Sequence, residues 1–381
     1  MNLSHYLNTY AADGLLTSKE LSREHLYSFV DFYEPSQPLE IDSYDAYIVG
    51  VPEGRLSQEN EACALAPDFI RKEFYNLYQG DWSTKLLDLG NLKIGETVQD
   101  TYFVLQEITA PLLEAGKVVI VLGGGHDLIV PIYKSHCTLS KPLNFASADA
   151  YFDFQDEDYF HSRAFLSKLI SSKEALLQHY SILGYQSYLN SPMQKDLLES
   201  MNFELLRLGD LKNAIEEAEP SIRDLNHLSI DLSVLRNADA SASAYSSPNG
   251  LSAEELCVIV RYAGMSNRLQ SLLLSELNPE KDALCSSSKL YAQALWCFVE
   301  GLNQRRDDFP DNSLNNFQRF TVAANVSTEL VFYKSLLSGR WWIEIPQVEN
   351  GLERSLLPCS YSDYKSACEG DFSNRLLKKI F

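Results

Sequence analysis

Four short groups of polar residues carry the chemistry this chain could perform, and each follows directly on an apolar run. Val118 to Leu122 leads into Gly123-Gly124-Gly125-His126-Asp127. Asn144 to Ser147 leads into Asp149-Ala150-Tyr151-Phe152-Asp153. His227 opens the run that reaches Asp231 and Ser233, and Leu269 to Ser275 ends on Glu276-Leu277-Asn278-Pro279. In extended chain, residues two apart point the same way, so Asp149, Tyr151 and Asp153 present two carboxylates and a phenol to one side. Burying carboxylates together is costly unless a cation compensates them or one is protonated. One imidazole with three or four carboxylates and no thiolate describes a site for a hard or borderline divalent cation, Mn²⁺ or Mg²⁺ rather than structural zinc. If that ion keeps an open coordination position, metal-assisted hydrolysis follows.

The elements that must position these groups are short apolar strands alternating with helices. Strand candidates are Ala46 to Val51, Leu86 to Leu89, Val118 to Leu122, Asn144 to Ser147, Ser181 to Gly184, Glu204 to Leu208, His227 to Leu232 and Leu269 to Ser275. Helix candidates between them include Ala66 to Leu77, Val98 to Ala115, Arg163 to His179 and Ala253 to Ala263. This alternation predicts a three-layer α/β/α domain on a mainly parallel sheet of about eight strands. Ligands of such sheets bind beyond the carboxyl ends of the strands, where the four groups lie. Residues 1–43 read as an amphipathic helical extension, 44–309 as the α/β domain, and 310–381 as an aromatic-rich appendage or assembly surface. In that last segment Trp341 and Trp342 are expected to be packing anchors.

The 381 residues have a formal net charge of -20, which argues against nucleic acid or an anionic membrane as partner. A cationic substrate would be favoured by that field, although a solvated acidic surface alone explains it more simply. Seven scattered cysteines without a CxxC pair predict free thiols, and no signal peptide or membrane-spanning run is visible; a cytoplasmic location is expected. The triple glycine does not form a GxGxxG or GxxxxGK[ST] phosphate loop, so a nucleotide-binding reading is disfavoured.

The ordered set GGGHD, DAYFD, SIDLS and SELNP resembles the arginase, agmatinase and formimidoylglutamase superfamily, which shows GG[DG]H, DAHxD, SxDxD and ExNP in that order. The earlier stretch GVPEGRLSQENEACALAPDFIRKEF is similar to the family's first strand, loop and helix, and the likeness spans roughly residues 44 to 305. The resemblance implies two Mn²⁺ ions bridged by hydroxide, a guanidino or formimino substrate, and assembly as trimers or hexamers. Ligands of the first ion map onto His126, Asp149, Asp153 and Asp231. Those of the second map onto Asp149 and Asp231 with Tyr151 and Ser233, where the family has histidine and aspartate. A neutral phenol and a serine are poor replacements, so at most one ion is expected. Glu276 falls on the acid that faces the substrate's cationic nitrogens, and a buried strand-end acid with a backbone partner is an equal reading of it. His161 lies near the family's proton-shuttling histidine, but its surroundings, DYFHSRAF, match poorly and a surface position is expected. Two functions follow: a repurposed or inactive scaffold, or a one-metal hydrolase of a formimino or guanidino substrate, with the GGGHD form leaning towards formimidoylglutamase.

Overall fold

The computed structural model describes residues 3–10, 23–155, 160–306, 308–310, 314–323, 329–345 and 355–371. Its main sheet contains β1 (Leu7–Asn8), β2 (Val30–Phe32), β3 (Ala46–Gly50), β4 (Leu86–Leu92), β5 (Val118–Leu122), β6 (Leu143–Ala148), β7 (Leu177–Tyr185), β8 (Glu204–Arg207), β9 (His227–Asp231) and β10 (Ser271–Ser275). The order across the sheet is β1-β4-β3-β5-β10-β9-β6-β7-β8, with β2 also paired to β4. Only β1 runs antiparallel to its neighbour; the other pairings are parallel.

In β5 and β10, side chains divide by parity between two cores. Ile120, Leu122, Leu272 and Leu274 face one layer with Ile70, Phe74, Ile259 and Phe298, from helices Ala66–Tyr75, Ala253–Met265 and Ser286–Asn303. Val119, Val121 and Leu273 face the other with Leu105, Leu112, Ile129 and Ile132, from helices Val98–Glu114 and Ile129–Cys137. Strands buried on both faces read as unbroken apolar runs because neither parity meets water. Helix starts are set locally: Thr97 with Asp100, and Ser252 with Glu255, each form a reciprocal capping box.

The eight expected strands are β3 to β10, and the N-terminal extension adds β1 and β2, so that among the described residues the sheet has ten. Two expectations need correction. Within residues 3–10 and 23–43 that extension forms these short strands and 3-10 turns, not amphipathic α-helix; residues 1–2 and 11–22 lie outside the described residues. The helix expected over Arg163 to His179 is a 3-10 turn at Ser162–Ala164 followed by a helix at Phe165–Ile170, and Leu177 already begins β7.

A second, antiparallel sheet follows: β11 (Phe317–Ala323), β12 (Glu329–Ser335), β13 (Trp341–Ile345) and β14 (Ser355–Cys359), in that order. It has its own core, in which Tyr364 of the helix Tyr361–Cys368 stacks on Trp341 at 4.8 Å. Trp342 faces the main domain: the Arg223 guanidinium lies 4.6 Å from its ring, and Arg223 donates to the Trp341 carbonyl at 2.7 Å. Both tryptophans are packing anchors. Arg223 precedes β9, so this sheet docks near the amino ends of the main strands and away from the four motif groups.

Candidate metal centre

β5, β10, β9 and β6 are consecutive in the sheet, and their carboxyl ends bring His126, Glu276, Asp231 and Asp149 together. The loop after β5 can reach the site because of its glycines. Gly123 and Gly124 have φ of +80° and +77°, and a Cβ on Gly124 would lie 2.7 Å from the Glu53 carbonyl oxygen. Asp153 and Glu276 hold left-handed backbone too, φ +46° and +59°, without being glycine. Such conformations persist where the surroundings over-determine them, and they cluster at functional sites.

His126 is the centre of the group. Its Nδ1 lies 3.2 Å from Asp149 Oδ2, 3.2 Å from Asp153 Oδ2 and 3.4 Å from Asp231 Oδ2. All four side chains are buried, and one donor atom from each lies within 4.8 Å of the others. On its far side, His126 Nε2 is 2.8 Å from Ser229 Oγ, whose own hydrogen points to the Ala146 carbonyl at 3.4 Å. Ser229 therefore accepts from Nε2, which leaves Nδ1 turned towards the carboxylates with its lone pair free for a cation. Asp149 Oδ2 has no hydrogen-bond partner. One Nδ1 proton cannot satisfy three converging carboxylates, so three oxygens and one imidazole nitrogen fit a divalent cation.

The outer oxygens of the same acids serve the protein. Asp149 Oδ1 accepts from Tyr151 N at 2.8 Å and from Ser233 Oγ at 3.0 Å, while Asp231 Oδ1 accepts from Ser233 N at 2.7 Å. Asp153 Oδ1 faces Arg163 Nε at 3.7 Å. The Arg163 guanidinium lies 3.9 Å from the Tyr151 ring and 4.5 Å from that of Tyr245.

Burial, reinforced by the neighbouring Asp153 charge, pushes the Asp149 carboxyl up to about 6. Burial also raises Asp153. His126 moves well above its usual value: burial opposes its charge, but the Asp149, Asp153 and Asp231 carboxylates that face its Nδ1 outweigh that. Without a cation the cluster thus retains protons.

Glu276 is fully enclosed. Its Oε1 accepts from Ser57 Oγ and from His126 N, both at 2.9 Å, and its Oε2 accepts from Asn60 Nδ2 at 2.8 Å. Burial and the Asp231 charge nevertheless push it up to about 7. His161 is not on the surface, as its sequence context suggests, but buried, and its Nδ1 accepts from Arg163 N at 3.2 Å. The turn it opens is pinned to the loop after β3 by Ser162 N donating to the Leu56 carbonyl at 2.9 Å. The sequence reading misses Ser57, Asn60, Ser229, Arg163 and Tyr245. Only Ser229 carried a signal, as a serine on the same parity as Asp231.

Residues 44–300 match the model of the Arginase family. The chain belongs to the arginase family. This arginase-family chain is 22% identical to the formimidoylglutamase of Halalkalibacterium halodurans over 298 residues, covering 73% of this chain and 92% of that relative. It is 24% identical to that of Macrococcus caseolyticus, covering 68% and 85%. Its fold is similar to that of Bacillus subtilis formimidoylglutamase, with a TM-score of 0.68 and 18% identity over 78% of this chain and 96% of the other. A Trypanosoma cruzi formiminoglutamase solved with Mn²⁺ superposes with a TM-score of 0.65 and 18% identity, over 74% and 99%. Among the described residues, no helix is long and apolar enough to cross a membrane, and all seven cysteines are free.

Proposed function

We propose that this chain is an arginase-family protein that binds one divalent cation, Mn²⁺ by its donor set, and has lost the family's two-metal hydrolysis, acting as a repurposed binding or assembly scaffold. The observation that carries this reading is the division of the carboxylate oxygens. The three Oδ2 atoms converge with His126 on one position, whereas the Oδ1 atoms face Tyr151 N, both polar groups of Ser233, and Arg163. Ser233 donates to the second oxygen of both Asp149 and Asp231, the oxygens that a carboxylate bridging through both of its atoms would turn to a second ion. Free thiols throughout fit a reducing cytoplasm.

A second reading, a one-metal hydrolase of a small cationic formimino or guanidino substrate, is favoured by the complete ligand set of the first ion and by the formimidoylglutamase names of the relatives. A single bound ion can still activate water. Against it, Glu276, the residue this reading would place against the substrate's nitrogens, has both oxygens engaged by Ser57, Asn60 and His126.

Elemental analysis after dialysis against Mn²⁺, with urea and formamide release assayed on the same sample, separates the readings. One ion per chain without turnover is the expected result. One ion with turnover establishes the hydrolase, and two ions per chain reject the one-ion site.

A further inference from the structure

We propose that the Arg163 guanidinium is a built-in cation that takes the place of the second metal ion at this centre. The inference rests on the one-ion reading and adds the residue that completes it. Tyr151 occupies the position of the missing histidine ligand. It carries the guanidinium on its face at 3.9 Å, with Tyr245 closing on the same group at 4.5 Å and the two rings 74° apart. Arg163 Nε is buried and makes no hydrogen bond; it stands 3.7 Å from Asp153 Oδ1. Ring faces and charge therefore hold the group beside the cluster.

Charge accounts for the pairing. Three carboxylates outweigh one divalent ion by a single negative charge, and one guanidinium removes that excess. A guanidinium remains charged at any physiological pH, and its planar faces suit two aromatic walls better than an ammonium would. Burial works against the charge of Arg163, but Asp153 and Asp149 more than offset it. Tyr151 and Ser233 thus belong to one change of design. The phenol provides a seat for an organic cation where an imidazole would seat a metal, and the serine caps the oxygens that no longer bridge.

The test is Mn²⁺ titration into metal-free protein by calorimetry, together with the thermal midpoint of the metal-free protein. Arg163→Met should bind its Mn²⁺ about tenfold tighter or more, since a neighbouring positive charge has been removed. It should also lower the metal-free midpoint. Arg163→Lys keeps the charge and should restore both towards wild type. Where Arg163→Met does not fold, Arg163→Gln gives the same readout with a neutral side chain of similar reach. Unchanged affinity and midpoint in Arg163→Met overturn the proposal. Wild-type stoichiometry separately tests the one-ion reading. No ion bound rejects that reading alone, because the metal-free midpoints of the Met and Lys variants still decide the role of Arg163. Two ions bound reject both.

Discussion

His126 shows how much of this centre depends on what lies behind a ligand. The imidazole meets three carboxylate oxygens with one nitrogen, and the other is set by Ser229. Hydrogen bonds of that kind fix ring orientation and tautomer, and losing one typically weakens metal affinity by about ten- to a hundredfold. Ser229→Ala should therefore retain a stoichiometry of one ion while losing at least tenfold in Mn²⁺ affinity by calorimetric titration; unchanged affinity would show that Ser229 does not set the ring. That His126, Asp149, Asp153 and Asp231 converge was legible in the sequence, because a charge ending an apolar strand has no cheap explanation apart from a partner. Ser57 and Asn60 were not. Their role exists only through contacts with Glu276 more than two hundred residues away, and a polar loop residue looks the same with or without such a partner.

At the scale of elements, alternation of apolar runs and helices predicts the central strands within a residue or two, since β5, β9 and β10 are buried on both faces. It fails at the periphery. β1 and β2 have two and three residues, too short for any periodicity, and β7 begins with the mixed stretch Leu177 to His179, whose half-exposed faces imitate a helix end. The loop after β5 is the element on which the centre turns. Gly124→Ala would place a Cβ 2.7 Å from the Glu53 carbonyl in left-handed backbone. The conformation alone costs about 1–2 kcal/mol for a residue with a side chain, and the contact adds to it. A lower urea midpoint together with weaker Mn²⁺ binding is expected, because His126 is displaced; lost stability with intact binding would mean that the loop adjusts without moving the ligand.

Across the whole molecule, the two ends of the main sheet have different tasks. The carboxyl ends hold the candidate metal centre, and the amino ends hold the second sheet through Trp342 and Arg223. Near the amino ends, His136 Nε2 and His227 Nδ1 both contact Ser271 Oγ at 2.7 Å, so a neutral imidazole pair is built into the core. Burial lowers His136 to about 3. An unfolded chain takes up that proton near pH 6.5, whereas the folded chain resists it until about pH 3. Stability must therefore fall as the pH drops through this window, by up to about 1.4 kcal/mol per pH unit for one such proton. His136→Gln should flatten the acid limb measured by urea unfolding between pH 6.5 and 4, and an unaltered slope would assign that limb to other groups.

β10 is the last strand of the main sheet in chain order, yet it lies in the middle, between β5 and β9. During synthesis, β5 and β9 leave the ribosome with a gap between them that only residues 271–275 can fill. Until then Glu276 is not in place to receive the His126 amide, and the neighbours of the strand have bare edges. The nascent chain must wait for this insertion, exposed to strand-edge association in the meantime. The surroundings of His126 are accordingly completed at the end of folding rather than at its beginning.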